Sequence, residues 1–150
     1  MDKNSLLKEY FKEQQIQILL ADDESDLREV LKDTLNDKID VKFIIDEATD
    51  GETALNLIQK KKYDLCILDL NMPKKSGFDV LKYVRGKEDK EHTPNTQKSK
   101  ILILSGYIDK LEANSERKEL LMLEKHLLSK PFKMVEFLEQ TQNILLSIKK

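Results

Sequence analysis

The sequence predicts an α/β domain: a doubly wound parallel sheet of five strands in the order 2-1-3-4-5, covered by helices on both faces. Three observations carry this expectation. From Ile16 onward, short apolar runs alternate with stretches of amphipathic helical periodicity, the pattern of parallel strands returning through crossover helices. The stretch 63–73 (YDLCILDLNMP) opens as an apolar run and closes on Pro73 and then Gly77, which reads as a strand buried on both faces. Finally, four of the five strands end in residues with chemistry: Asp22-Asp23, Asp69, Ser105 and Lys130.

Taken in order, residues 1–15 form a polar helical leader or linker, with Leu6, Leu7, Tyr10 and Phe11 on one stripe and Ser5 as its N-cap. Residues 16–150 form the domain proper. Strand one spans 16–21. Ser25 and Asp26 cap a helix whose Leu27, Val30, Leu31, Thr34 and Leu35 follow helical spacing. Val41, Phe43 and Ile45 alternate with polar residues, as in a half-buried edge strand, and Asp50 caps a helix with Ala54, Leu57 and Ile58 inward. After the central strand comes a helix with Phe78, Leu81 and Val84 inward and Gly86 as its stop. Residues 87–99 carry nothing hydrophobic and read as a mobile surface loop. Strand four spans 101–104, a weakly patterned helix covers 108–124 with Leu111, Leu120, Leu121 and Leu123 inward, and strand five spans 126–129. The closing helix buries Val135, Leu138, Ile144 and Leu145.

Composition excludes several classes. A chain of 150 residues suffices for one sheet covered on both sides, and 39% hydrophobic with 36% charged residues describes a globular chain with a heavily solvated surface. A net charge of −2 offers no electrostatic case for nucleic acid or an anionic membrane. The single Cys66 excludes an intrachain disulfide and sits inside the central strand as a core residue. No apolar run reaches the ~18 residues of a membrane span, so the expectation is a soluble, cytoplasmic protein. His92 and His126 have no Cys or His neighbours, and no zinc site is expected.

In this flavodoxin-like order the four chemical strand ends are neighbours, and ligands bind beyond the carboxyl ends of such strands. Three carboxylates in one crevice repel one another, and without a cation at least one is driven toward protonation. Mg²⁺, or Mn²⁺ in its place, removes the conflict, since it takes oxygen ligands from one or two carboxylates, water and phosphate. A metal, a lysine and a hydroxyl together make a clamp for phosphoryl oxygens, with Asp69 as the in-line nucleophile that becomes an aspartyl phosphate.

The motifs Asp22-Asp23-Glu24, Asp69-Leu70-Asn71-Met72-Pro73 with Ser76-Gly77, Ser105-Gly106 and Lys130-Pro131-Phe132 resemble the receiver domain of two-component response regulators, over roughly residues 16–148. The resemblance implies a signalling module, not an ordinary enzyme: it catalyses only its own phosphorylation and dephosphorylation. Asp69 is then the phosphoacceptor, receiving phosphate from a phosphohistidine on a sensor histidine kinase or histidine phosphotransfer protein. Asp23 and Asp69 ligate Mg²⁺ with the backbone carbonyl of Asn71, Asp22 acts chiefly through water, and Ser105 and Lys130 contact the phosphoryl oxygens. A downstream protein target is expected on the 107–148 face, with no direct nucleic acid or membrane contact. Ala48-x-x-Gly51 also resembles the family's second strand-to-helix turn. Three features depart from the family: Leu127 stands where Tyr or Phe is usual, the 87–99 loop is long, and a Gly-Ala pair common before the fifth strand is missing. Leu127 has no ring to swing, so the switch is expected to run through backbone shifts or Tyr107. The resemblance places Asn71 and Tyr107 beside the phosphoryl group, where the Tyr107 ring is expected to hinder water and lengthen the phospho-form's lifetime.

Rival readings fare worse. A flavin carrier needs a phosphate loop after strand one, where Asp22-Asp23-Glu24 would repel it. An aspartate-nucleophile metal-dependent phosphohydrolase usually has a second acid two residues after the first, where this chain has Asn71. A non-phosphorylated interaction module of the same fold would have lost one of the acids or the lysine, and none is lost. No Walker loop or Gly-x-Gly-x-x-Gly occurs.

Overall fold

The computed structural model describes residues 1–86, 99–106, 115–122 and 124–148. Its elements are α1 (Lys3–Phe11), β1 (Gln15–Ala21), α2 (Ser25–Lys38), β2 (Lys42–Ala48), α3 (Gly51–Lys60), β3 (Leu65–Asp69), α4 (Gly77–Val84), β4 (Lys100–Ser105), α5 (Ser115–Met122), β5 (Leu127–Ser129) and α6 (Met134–Leu146). The five strands form one sheet in the order β2-β1-β3-β4-β5, every pair parallel. This is the predicted doubly wound fold.

Alternation along the strands divides the core in two. Ile16, Ile18 and Leu20 of β1 and Leu65 and Ile67 of β3 point toward α1, α2 and α6, where they meet Leu7, Phe11, Leu31, Leu35, Phe137, Ile144 and Leu145. Leu19 and Ala21 of β1 and Cys66 and Leu68 of β3 point the other way, toward Ala54, Ile58, Phe78, Val80, Leu81, Val84 and Leu120 of α3, α4 and α5. β3 is buried at all five positions, whereas the edge strand β2 is exposed or half-buried until Ala48. That difference explains why β3 reads as a continuous apolar run and β2 as an alternation.

The leader folds onto the domain. Leu7 and Phe11 are fully buried, worth roughly 1.5–3 kcal/mol each, while Leu6 and Tyr10 remain outside. Asp2, not Ser5, is the N-cap of α1: its carboxylate accepts the Ser5 N–H at 2.7 Å. Likewise α2 starts after Glu24, without a side-chain cap, rather than on Ser25 or Asp26. Val30 is exposed, because the inward stripe of α2 runs through Leu27, Leu31 and Leu35. In α6 the stripe is Phe137, Thr141, Ile144 and Leu145, and Val135, about 200° round the helix from Phe137, faces outward.

Other expectations hold in detail. Asp50 caps α3 through the Thr53 N–H, and Gly86, at φ 72°, follows the last turn of α4. α4 opens with a capping box between Ser76 and Asp79. Ser99, expected in a surface loop, is buried, and its hydroxyl donates to the Tyr63 carbonyl. The rest of that loop, together with Tyr107, Leu111 and Leu123, lies outside the described residues.

Candidate functional site

The strand register builds the crevice. Ala21 pairs with Leu68, so the next residues, Asp22 and Asp69, stand side by side at the carboxyl ends of β1 and β3. Asp69 pairs with Leu104, which brings Ser105 one step beyond it on β4. Ser105 pairs with Ser129, and the Lys130 N–H donates to the Ser105 carbonyl at 2.8 Å, which turns Lys130 over the same end of the sheet. Four expected residues are thereby brought together by backbone pairing alone.

Side chains then converge. Lys130 Nζ lies 2.8 Å from Asp22 Oδ2, 3.4 Å from Asp69 Oδ2 and 3.5 Å from Glu24 Oε2. Asp22 is fully buried, and its other oxygen accepts the Glu24 N–H at 2.8 Å. Asp69 is 2% exposed, and its Oδ1 accepts the Asn71 N–H at 3.1 Å. Asp23 is exposed at the mouth. One carboxylate oxygen from each of Asp22, Asp23 and Asp69 lies within 4.8 Å of the others, so these three groups can hold a metal ion. The surrounding cleft, about 640 Å³, is lined by Asp23, Glu24, Asp69, Asn71 and Lys130, with Leu27, Phe132 and Met134 as an apolar wall.

Electrostatics at this spot are out of balance. Burial above all, and then the neighbouring Asp22 charge, push the Asp69 carboxyl up to about 6, against the pull of the Asn71 N–H and the Lys130 ammonium. Burial acts to depress Lys130, but its bond to Asp22 and the charges of Asp69, Asp22 and Glu24 hold it above the ordinary lysine value. Among the described residues, the Lys130 ammonium pairs with Asp22, Glu24 and Asp69 while Asp23 stands beside them, and a divalent cation is a species that such an oxygen-rich set accommodates.

Glycines let the loop after β3 close around this centre. A Cβ on Gly77 would overlap the Asp69 carbonyl and stand 2.6 Å from Leu70 Cα, so only glycine can begin α4 there. Sequence reasoning missed Glu24 as a third partner of Lys130. Its place directly after Asp22-Asp23, at the start of α2, was the available signal. Leu127 is half-buried against the core on the α3–α5 side of the sheet.

A doubly wound sheet with an acidic trio and a lysine at its carboxyl end is the architecture of a phosphorelay receiver. Residues 18–142 match the family model of the response regulator receiver domain, and the chain belongs to that family, the receiver domains of two-component systems. It is similar to the chemotaxis protein CheY-3 of Vibrio cholerae, 39% identical over 80 residues, which cover 53% of this chain and 59% of that protein. Chemotaxis protein CheY of Pseudomonas aeruginosa is 37% identical over 79 residues, 53% of this chain and 62% of its own length. The matched stretch thus spans about three fifths of these relatives. Among solved structures, the receiver domain of HemR from Leptospira biflexa superposes with a TM-score of 0.69 at 27% identity, covering 90% of this chain and 97% of that one. TrrA of Thermotoga maritima, solved in complex with Mg²⁺ and BeF, gives 0.66 at 29% identity, covering 86% and 98%. No helix among the described residues is long and apolar enough to cross a membrane.

Proposed function

We propose that the chain is a phosphoacceptor module in which Asp69 takes a phosphoryl group from a phosphohistidine of a sensor histidine kinase or histidine phosphotransfer protein. One observation carries this reading: Asp69 is buried at the end of the central strand, raised to about 6, and flanked by Asp22, Asp23 and Lys130. A carboxyl kept from full charge neutralisation by its own surroundings is primed for a cation and a phosphoryl group.

An Asp69 carboxylate oxygen attacks phosphorus as the phosphorus–nitrogen bond of the donor breaks. The bonding pair stays on the imidazole, and Asp69 is left as an acyl phosphate. Ser105, at the end of β4, and Lys130, just past β5, take the phosphoryl oxygens, and the Lys130 ammonium offsets charge gathering there. Asp23, Asp69 and the Asn71 carbonyl would hold Mg²⁺, with Asp22 acting through water. Bound there, the cation neutralises carboxylate and phosphoryl charge. The TrrA complex with Mg²⁺ and BeF supports the carry-over, since that protein holds this pair of ligands at 29% identity to this chain.

The signal passes to a downstream protein through the 107–148 face. There, Leu127 in place of an aromatic calls for backbone shifts, or for Tyr107, as the transmitting element. Tyr107 also shields the phosphate from water and prolongs the phospho-form. The reading places the protein in the cytoplasm. The test is incubation with acetyl phosphate and Mg²⁺, followed by intact mass. Wild type should gain one phosphate, while Asp69→Asn and wild type in excess EDTA should gain none. Labelling of Asp69→Asn to the wild-type level would overturn the assignment.

A further inference from the structure

The edge strand β2 ends in no chemical side chain, yet the turn after it touches the loop that leaves Asp69. A Cβ on Gly51, the first residue of α3, would overlap the Lys75 carbonyl and stand 2.7 Å from Lys75 Cβ. The Gly51 N–H points at the Pro73 carbonyl at 3.4 Å, and Asp50 Oδ2 lies 3.8 Å from Lys74 Nζ. Lys74 itself sits at φ 65°, a left-handed conformation that a lysine adopts only when its surroundings impose it.

The loop is held at its stem as well. Its first residue, Asn71, donates its N–H to Asp69 Oδ1 at 3.1 Å, and Gly77 N–H donates to the Leu70 carbonyl at 3.1 Å. Five residues, 71–75, therefore run between the stem and the contact with Gly51. Pro73 stiffens the middle of this span with its fixed φ. A push at Lys75 has little slack to absorb it before it reaches Asn71.

We propose that Gly51 is a positioning residue for the phosphoacceptor site: its bare backbone lets the 71–76 loop dock on the start of α3, which fixes the Asn71 carbonyl where the cation is bound. This rests on the reading of Asp69 and Asn71 given above. The edge strand thus contributes to the crevice through its following turn, without lending a side chain. Supporting groups of this kind set metal affinity although they touch no metal.

The test compares Gly51→Ala with wild type and with Ile144→Val, which thins the core on the other face of the sheet and loosens the fold without reaching the loop. Amide NMR in metal-free buffer should show Gly51→Ala moving the amides of residues 71–76, and Mg²⁺ titration should show its affinity about tenfold weaker. Ile144→Val should keep both at wild-type values. Should Gly51→Ala not fold, Asp50→Ala serves instead: it adds no atom, removes the Lys74 partner and the α3 cap, and should move residues 73–76 with a two- to threefold loss of Mg²⁺ affinity. Unmoved loop amides, or wild-type Mg²⁺ affinity despite moved ones, would overturn the clamp while leaving the site reading intact. A wild type whose amides ignore Mg²⁺ would instead overturn the site reading, and the clamp with it.

Discussion

The two ends of the sheet handle buried charge in opposite ways. Where β4 and β5 begin, Arg85 forks onto Glu124: Nε and Nη2 donate to the two carboxylate oxygens at 2.9 and 2.6 Å, and Nη1 reaches the Ser99 carbonyl at 3.3 Å. The Glu124 side chain is 2% exposed and fully compensated by that fork. At the carboxyl ends, among the described residues, one ammonium, that of Lys130, pairs with Asp22, Asp69 and Glu24, with Asp23 beside them. The Arg85–Glu124 fork fastens α4 to the segment before β5, whereas the acidic set at the carboxyl ends can hold a metal ion. Both ends are buried and polar, so burial alone would not have told them apart.

Removing one cation from each end is the strongest way to break this comparison. Arg85→Ala strands the Glu124 carboxylate and Lys130→Ala strands the buried Asp22 carboxylate, each at a cost of about 3 kcal/mol in urea unfolding at pH 7 without metal. Millimolar Mg²⁺ should restore at least half of the loss in Lys130→Ala and give Arg85→Ala no more than it gives wild type. Equal rescue of both would erase the distinction.

A smaller effect follows from Asp69. Its folded pKa, about 6, lies above the ordinary aspartate value of 3.8, so the fold binds the proton more tightly than the unfolded chain does. That contribution favours the fold below pH ~4, fades as pH rises through 6, and leaves ionised Asp69 as a burden at pH 7. After allowance for solvent at the crevice mouth, Asp69→Asn should be about 1–2 kcal/mol more stable than wild type at pH 7 in metal-free buffer. The gain should shrink toward zero near pH 4, read by urea unfolding across the range. An advantage independent of pH would contradict the electrostatic origin.

The smallest expectation concerns Cys66, whose thiol burial pushes up to about 12. Native protein should react with a thiol reagent only as fast as it unfolds, whatever occupies the crevice. Prompt labelling would place this residue nearer the surface than the core packing does.

Much of this was legible in the sequence because strand ends are marked by where apolar runs stop. Asp22, Asp69, Ser105 and Lys130 each follow such a run, and parallel pairing then makes them neighbours. Helix faces were less legible. Val30 and Val135 fit a helical count but lie off the stripe that the neighbouring leucines and Phe137 select, and only packing decides between the two. Caps depend on the backbone of a single residue, so Asp2 displaced Ser5. Arg85 and Glu124 are 39 residues apart, and Gly51 meets Lys75 across two elements. No local pattern marks such partners.

The most direct measurement is the Asp69 carboxyl titration followed by carbon NMR, with and without Mg²⁺. The expected result is a pKa near the 6 set by burial and Asp22 in metal-free protein, falling by more than one unit once Mg²⁺ is added. An Asp69 that titrates at the ordinary carboxylate value, or one whose pKa ignores Mg²⁺, would contradict the claim that this end of the sheet is built around charge awaiting a cation.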